Sequence, residues 1–201
     1  MKSRHIILLS LLIAVILSGW VTWPLGQYFH AGMPSSHRPE AGGPRAMIAG
    51  DHLQFLFQLW MLADAFEGKT PLFYHVYEFN QGNDEERRDV GTYYFPFGLM
   101  YVAGQFLGGR AVGWNLMLFL SAWLTYLMTW ALARRFCAST WTAAVAALPG
   151  LLLPYLWMCL LGGSPTGLGM MWVPVIFYGI DVAVRERRVW GAILAGVALF
   201  V

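Results

Sequence analysis

Long stretches without a charged side chain decide what this chain can fold into. The clearest are residues 6–21, 111–133 and 140–161, which contain no Asp, Glu, Lys or Arg. A helix that crosses the hydrocarbon core of a bilayer needs about 20 mostly apolar residues. Charged residues make up only 12% of the sequence and apolar residues 58%, which leaves too little polar surface to cover a water-soluble domain. We therefore expect an integral membrane protein.

The charged residues between these stretches predict one all-α domain, a polytopic bundle of transmembrane helices. The predicted spans cover about residues 5–25, 111–133, 140–161, 165–183 and 189–201. Arg134-Arg135 and the cluster Arg185-Glu186-Arg187-Arg188 should share the cytoplasmic side with Lys2 and Arg4, because short loops rich in Lys and Arg stay inside. This topology places the N-terminus in the cytoplasm and a long first loop, residues 26–110, outside a bacterial or archaeal plasma membrane.

Two shorter helices are predicted within this outer loop, at about residues 51–67 and 93–109. If residues 93–109 crossed the membrane, every later loop would change sides and both arginine clusters would lie outside. We therefore expect both helices to lie at the outer membrane interface. The loop between spans is otherwise rich in Gly and Pro, which is typical of irregular structure.

Both ends of the chain carry further expectations. The N-terminus has the basic and apolar parts of a signal peptide, but Leu17-Ser18-Gly19-Trp20 is a poor cleavage site, so we expect an uncleaved signal anchor. The last stretch, residues 189–201, is too short to span a core about 30 Å thick. We expect the chain to be the N-terminal part of a longer protein.

Acidic residues are concentrated in the outer loop, which is where we expect any chemistry. Nine of the eleven acidic residues lie there: Glu40, Asp51, Asp64, Glu67, Glu78, Asp84, Glu85, Glu86 and Asp89. The other two, Asp181 and Glu186, are expected to form solvated ion pairs with neighbouring arginines. The mixed charges of residues 83–89 are typical of a solvated turn and match no metal-ligand spacing.

Asp51 is the first candidate catalytic residue. With 100° of rotation per residue, Asp51, Gln54 and Gln58 share one side of the predicted interfacial helix. A carboxylate there could act as a general base or bind a metal ion. Asp is also a common residue at the start of a helix, where it accepts hydrogen bonds from free N–H groups. His52 could assist as an acid, a base or a ligand, or could be an ordinary interfacial polar residue.

Glu78 is the second candidate, and it is surrounded by aromatic residues. An aromatic environment can raise the pKa of a carboxyl group, and aromatic rings can stack on a sugar. The alternative is an exposed glutamate among aromatic residues at the membrane surface. The same alternative applies to Tyr93 in the segment Tyr93-Tyr94-Phe95-Pro96, because aromatic belts are common at that level.

The order of these features resembles the N-terminal portion of GT-C type glycosyltransferases, which are multispan membrane enzymes. The resemblance covers nearly the whole chain and rests on layout plus short motifs. The matching elements are Thr22-Trp23-Pro24-Leu25, Gly50-Asp51 with Trp60, Tyr94-Phe95-Pro96-Phe97-Gly98, and Trp114-Asn115-Leu116.

The resemblance implies transfer of a sugar from a polyprenyl-phosphate-linked donor at the outer face of the membrane. Asp51 matches the essential aspartate of that family, and Glu78 is a candidate second acid by location only. The implied substrate contacts are His52, Gln54, Gln58 and Tyr93. The family often uses a divalent cation, Mg²⁺ or Mn²⁺, but His52 stands where relatives commonly have a second carboxylate. The candidate partners for the donor phosphate are Arg45, Lys69, Arg87, Arg88 and Arg110.

Two other functions stay open from the residues alone. A transporter would fit the prolines that interrupt the late helices, at Pro149, Pro154, Pro165 and Pro174. Spans two to five, however, carry no ionisable residue away from their ends, where a coupled transporter usually has one. A noncatalytic membrane assembly partner is the third possibility. Binding to nucleic acid is excluded, because the basic residues form no continuous basic face.

Overall fold

The computed structural model describes residues 3–34, 52–74 and 94–200, and all regular elements within them are helical. The all-α prediction is confirmed for this part of the chain. The α-helices are α1 (Ser3–Val21), α2 (His52–Phe66), α3 (Phe97–Gly108), α4 (Arg110–Ala133), α5 (Thr140–Leu152), α6 (Pro154–Leu161), α7 (Pro165–Gly169), α8 (Trp172–Arg185) and α9 (Val189–Phe200). A short 3-10 helix, Leu25–Gln27, follows α1.

Among the described residues, two helical segments are long and apolar enough to cross a membrane. They are Arg110–Ala133, which is α4, and Pro165–Arg185, which includes α7 and α8. A third would form if α5 and α6, which meet at a bend of 43°, together make one span. The helices α1, α2, α3 and α9 are apolar but shorter. These helices are compatible with an integral membrane protein, while the count of five spans stays a prediction.

The helix α4 is the centre of the bundle and contacts α1, α3, α5 and α8. Its large side chains Trp114, Met117, Tyr126 and Trp130 are almost completely buried. A helix that is apolar on most of its circumference is expected to pack inside a larger protein or a membrane. This helix therefore supplies much of the core against which the other elements pack.

The first helix runs antiparallel to α4. The indole N–H of Trp123 donates a hydrogen bond to Ser10 Oγ at 3.1 Å, and Asn115 Nδ2 donates to the carbonyl oxygens of Phe29 and Gly32, both at 2.8 Å. The start of α1 and the last turn of α4 therefore lie at the same end of the bundle. We call this the arginine end, because Arg134-Arg135 and Arg185 to Arg188 lie there; the side of the membrane that it faces stays a prediction.

The helices α3 and α4 form a tight hairpin that depends on glycine. A Cβ atom on Gly104 would lie 2.7 Å from Gly113 Cα, and one on Gly113 would lie 2.7 Å from Tyr101 O. Small residues allow helix backbones to approach this closely. The ring of Phe97, at the first residue of α3, lies 6.4 Å from that of Trp172 at the start of α8. The helix predicted at 93–109 is thus present at Phe97–Gly108, and it packs along the first half of α4.

The arginine end corrects one expectation from the sequence. Asp181 is not a solvated ion pair: its side chain is only 8% exposed, and its two oxygens lie 2.7 Å from Arg135 Nε and 2.8 Å from Arg185 Nε. The side chain is buried because α8 packs against both α4 and α9. Glu186 also binds Arg135 and remains more exposed.

Candidate functional site

The candidate catalytic residues predicted from the sequence are mostly beyond what the structure describes. Asp51, Glu78 and Tyr93 lie outside the described residues. His52 is the first residue of α2, but its side chain also lies outside them. Asp51 therefore directly precedes α2, and the two glutamines of the predicted site can be located on that helix.

Gln54 and Gln58 lie one turn apart on α2 and therefore share a side of the helix. Gln54 is exposed, whereas Gln58 is half-buried. The Oε1 atom of Gln58 is enclosed and has no hydrogen-bond partner among the described residues. Because enclosed polar atoms are normally hydrogen-bonded, this oxygen could accept a hydrogen bond from water or from a ligand hydroxyl.

The N-terminal half of α2 is held by aromatic contacts. The ring of Phe55 lies 4.7 Å from that of Tyr94 and 5.3 Å from that of Trp114, edge to face in both cases. Such contacts add about 0.5–1.5 kcal/mol to the burial of the rings. They fix the start of α2, and hence the backbone beside Asp51, against α4 and the segment that leads into α3.

The C-terminus of α2 is closed by a glycine in the left-handed region. Gly68 has φ of +74°; its N–H bonds to Ala65 O at 3.1 Å, and the N–H of Lys69 bonds to Asp64 O at 2.9 Å. This is the Schellman arrangement, in which a left-handed residue reverses the chain and satisfies the last carbonyls of a helix. The reversal brings the side chain of Lys69 back over the last turn of α2.

Lys69 consequently meets two carboxylates. Its Nζ lies 3.6 Å from Asp64 Oδ1, and it also pairs with Glu67. The hydrogen bond from Lys69 holds the pKa of Glu67 below its ordinary value, and the same bond holds the pKa of Lys69 above its own. Asp64 is 2% exposed, so a buried carboxylate lies beside an exposed ammonium group.

Arg110 lies nearby and contacts an aromatic ring. Its guanidinium carbon is 5.0 Å from the centre of the Trp60 ring, a cation–π contact that orients the side chain. Arg110 is exposed, and among the described residues no carboxylate lies within ion-pair distance of it. Its N–H groups are therefore available to an anion.

Tyr101, on α3, completes this region. Its side chain is fully buried, and its hydroxyl has no hydrogen-bond partner among the described residues. Burial raises the pKa of Tyr101 to about 12, an effect that nearby Arg110 opposes and the charge of Asp64 reinforces. The hydroxyl thus stays protonated across the physiological range and could donate a hydrogen bond. We call Asp64, Glu67, Lys69, Tyr101 and Arg110 the α2 charge cluster.

Asp64 and Glu67 belong to the acidic residues of the predicted outer loop, where the sequence indicates no specific role for them. A usable signal was present, because Asp64 follows the apolar run Leu59-Trp60-Met61-Leu62-Ala63 and an acid in such a run usually has a specific partner. The structure also distinguishes two of the cations named for the donor phosphate. Lys69 pairs with two carboxylates, whereas Arg110 pairs with none among the described residues.

The side of α2 that carries Gln54 and Gln58, which we call the glutamine side, is separate from the α2 charge cluster. With 100° per residue, Trp60 lies about 160° around the helix from Gln58. Arg110 is therefore not aligned with Gln54 and Gln58. Within the described ranges, no three side chains of His, Cys, Asp or Glu come together as a metal site would require.

Comparison with known proteins finds no matching family model, no matching curated protein and no matching solved structure.

Proposed function

We propose that this chain is a membrane glycosyltransferase of the GT-C type, which transfers a sugar from a polyprenyl-phosphate-linked donor to an acceptor at the outer membrane face. The reaction is a displacement at the anomeric carbon. The acceptor hydroxyl loses its proton to Asp51 as its oxygen forms the new glycosidic bond. The bond between the anomeric carbon and the phosphate oxygen breaks, and the polyprenyl phosphate leaves with the electron pair.

The observation that carries the proposal is the polar side of α2. Asp51 directly precedes the helix, Gln54 is exposed, and the enclosed Oε1 of Gln58 has no partner among the described residues. A sugar carries many hydroxyl groups that can donate hydrogen bonds. One of these hydroxyls could donate to the enclosed Oε1 of Gln58. Asp51, at one end of this polar side, would act as the base on a sugar that α2 also binds. Holding the reacting groups in position contributes much of the rate of such a reaction.

The proposed donor also needs a cation that binds its phosphate group. Arg110 has no carboxylate partner among the described residues, and Arg binds phosphate through paired N–H groups. Because Trp60 holds Arg110 on the other side of α2, the role of Gln58 does not depend on it. Arg45, Arg87 and Arg88 stay candidates from the sequence.

The test measures sugar transfer in membranes that contain the full chain, with a panel of radiolabelled polyprenyl-phosphate hexoses. Asp51→Asn should abolish transfer while leaving membrane insertion unchanged. Asp89→Asn is the matched control, because it neutralises a carboxylate of the same loop in a run expected to be solvated. Transfer by Asp51→Asn at the normal rate would overturn the proposal, as would no transfer from any donor by the unaltered chain.

Gln58 provides a second, independent arm. Gln58→Ala should raise KM for the donor about fivefold, which corresponds to the loss of one hydrogen bond of about 1 kcal/mol, and should leave kcat nearly unchanged. Gln27→Ala removes an exposed glutamine outside α2 and should change neither constant. An unchanged KM in Gln58→Ala would remove Gln58 from the sugar site.

One observation favours a transporter as the second candidate. The helices α5 and α6 meet at a 43° bend beside Pro154, and broken helices are common at transport sites. The open groove at this bend has a volume of about 390 Å³ and is lined by Leu148, Pro149, Leu152, Leu153 and Pro154. All five lining residues have apolar side chains, so none of these side chains would bind an ion or a polar solute. Uptake of a solute into vesicles that survives Asp51→Asn would favour this candidate.

A further inference from the structure

The arginine end holds a network in which every carboxylate oxygen is already occupied. Asp181 binds Arg135 and Arg185 at 2.7 and 2.8 Å. Glu186 binds Arg135 at 2.6 Å and Arg188 at 3.2 Å. These bonds join the α4–α5 loop to the α8–α9 loop. The network therefore uses all of its negative charge internally.

Positive charge is left over at this end. Five guanidinium groups, from Arg134, Arg135, Arg185, Arg187 and Arg188, lie with two carboxylates in these loops and the adjoining turn of α8, which leaves a net charge of +3. In the described part of the chain, the guanidinium of Arg134 donates only to the hydroxyl of Thr140, at 2.6 Å. Among the described residues, neither Arg134 nor Arg187 has a carboxylate within ion-pair distance, and both are exposed. Their donors are available to an anion outside the network.

Apolar side chains surround these cations. Phe136 is 61% exposed, and its ring carries the guanidinium of Arg185 at 4.8 Å. Val184 and Val189, on either side of the α8–α9 loop, are 70% and 75% exposed. Trp141 is also exposed at the start of α5. A free phosphate would gain nothing from these apolar groups, whereas acyl chains would cover them.

We propose that the arginine end binds the phosphate headgroup of an anionic phospholipid, with Arg134 and Arg187 as its principal contacts. The acyl chains of the lipid lie against the exposed apolar residues beside the two loops. Basic groups at helix ends attract anionic headgroups in this way. The inference is independent of sugar transfer, because none of these residues belongs to the glutamine side of α2 or to the α2 charge cluster.

The test compares binding of phosphatidylglycerol and phosphatidylcholine with identical acyl chains to the purified full chain in mixed micelles. The unaltered protein should prefer phosphatidylglycerol. Each removed charge should weaken that preference about fivefold, so Arg134→Gln with Arg187→Gln should weaken it by more than tenfold. The pair Arg134→Lys with Arg187→Lys is the matched control, because it keeps both charges and should keep most of the preference.

Further outcomes decide against the proposal. Equal affinity of the unaltered protein for both lipids would overturn it, and so would an unchanged preference in the double glutamine variant. Should that variant fail to give folded protein, Arg187→Gln alone must show the fivefold loss. Raising the salt concentration must weaken the preference. Displacement of the lipid by glycerol phosphate or an acidic peptide at the same concentration would show a different anion as the ligand.

Discussion

Lys69 Nζ lies 3.6 Å from Asp64 Oδ1, across the C-terminus of α2. The contact exists because Gly68 reverses the chain between them and the N–H of Lys69 bonds to the carbonyl of Asp64 at 2.9 Å. In Schellman motifs an apolar contact frequently accompanies this reversal. Here an ion pair takes that place and supplies a cation to a carboxylate that is 2% exposed. The left-handed conformation of Gly68 therefore brings Lys69 to the two carboxylates of the α2 charge cluster.

Replacing Gly68 by Ala should lower the free energy of unfolding by about 1–2 kcal/mol, because φ of +74° is unfavourable for a residue with a Cβ atom. No atom lies within 4 Å of the added Cβ, so the effect comes from the backbone alone. Denaturant unfolding in mild detergent measures it. Gly196→Ala is the control, since Gly196 lies inside α9 with equal space around it and should be neutral or slightly stabilising. Equal stability of the two variants would contradict the left-handed assignment.

The pair Lys69–Glu67 predicts a specific pH dependence. The pKa of Glu67 is lowered from 4.5, so its contribution to stability is present above that value and is lost as the pH falls through the lowered pKa. The pKa of Lys69 is raised from 10.5, so its contribution is present below that value and is lost as the pH rises through the raised pKa. Stability from this pair should be constant between about pH 5 and pH 10.

Thermal unfolding across pH measures this dependence, with Lys69→Gln as the test variant. In that variant the part of the acid transition that Glu67 contributes should shift toward higher pH, since the hydrogen bond that lowers its pKa is gone. Asp89→Asn neutralises an acid in the run expected to be solvated and should leave this transition in place. An acid transition that is the same in Lys69→Gln and in the unaltered chain would show that the pair does not form in solution.

Asn115 should be important for the order of the segment after α1. It is 1% exposed and donates to the carbonyls of Phe29 and Gly32. Asn115→Ala should reduce stability by about 1–3 kcal/mol, because two carbonyl groups lose a buried donor. It should also speed proteolysis within residues 25–34, which a timed digestion followed by mass spectrometry measures.

Ser121→Ala is the matched control for Asn115. Ser121 is equally buried on α4, but the one partner of its hydroxyl among the described residues is Met117 O of the same helix. Its loss should cost less than about 1 kcal/mol and leave proteolysis unchanged. If digestion of residues 25–34 is no faster in Asn115→Ala than in Ser121→Ala, the two hydrogen bonds do not hold the segment.

The α8–α9 contact should be sensitive to a single methyl group. A Cβ atom on Gly179 would lie 2.6 Å from Gly191 O and 2.8 Å from Ala195 N. Both are backbone atoms, so α9 must move, and Gly179→Ala should cost about 1–3 kcal/mol. Unfolding in detergent measures the loss. Gly169→Ala, where no atom lies within 4 Å of the added Cβ, should cost less; similar losses in both variants would argue against close packing of α8 on α9.

Local structure was largely predictable from the sequence. The helices predicted at 51–67 and 93–109 are present as His52–Phe66 and Phe97–Gly108, because their apolar residues recur at helical spacing between Gly- and Pro-rich segments. The stretch at 140–161 was predicted as one helix, yet it breaks at Leu153 before Pro154. Proline disfavours a helical conformation in the residue before it, so the break was also readable from the sequence.

Contacts between distant residues were not predictable in the same way. The hydrogen bond of Trp123 to Ser10 and the ion pair of Arg135 with Asp181 join positions that no local pattern relates. The sequence placed Asp181 among arginines but predicted a solvated pair, since burial depends on how α8 packs. For the candidate site, the sequence predicted the glutamine side of α2, while the partners of Asp64 depended on the chain reversal at Gly68.

The helical and apolar character of the described residues follows from local sequence alone. Helical periodicity and the length of an apolar stretch are properties of residues that lie close together in the chain. Which helices pack together, and which charged side chains form ion pairs, depends on the three-dimensional fold. Close approach of α3 to α4 at Gly104 and Gly113, and burial of Asp64 and Asp181, arise from packing between segments far apart in the chain. Such packing depends on the shapes of whole helix surfaces, which a local pattern does not specify.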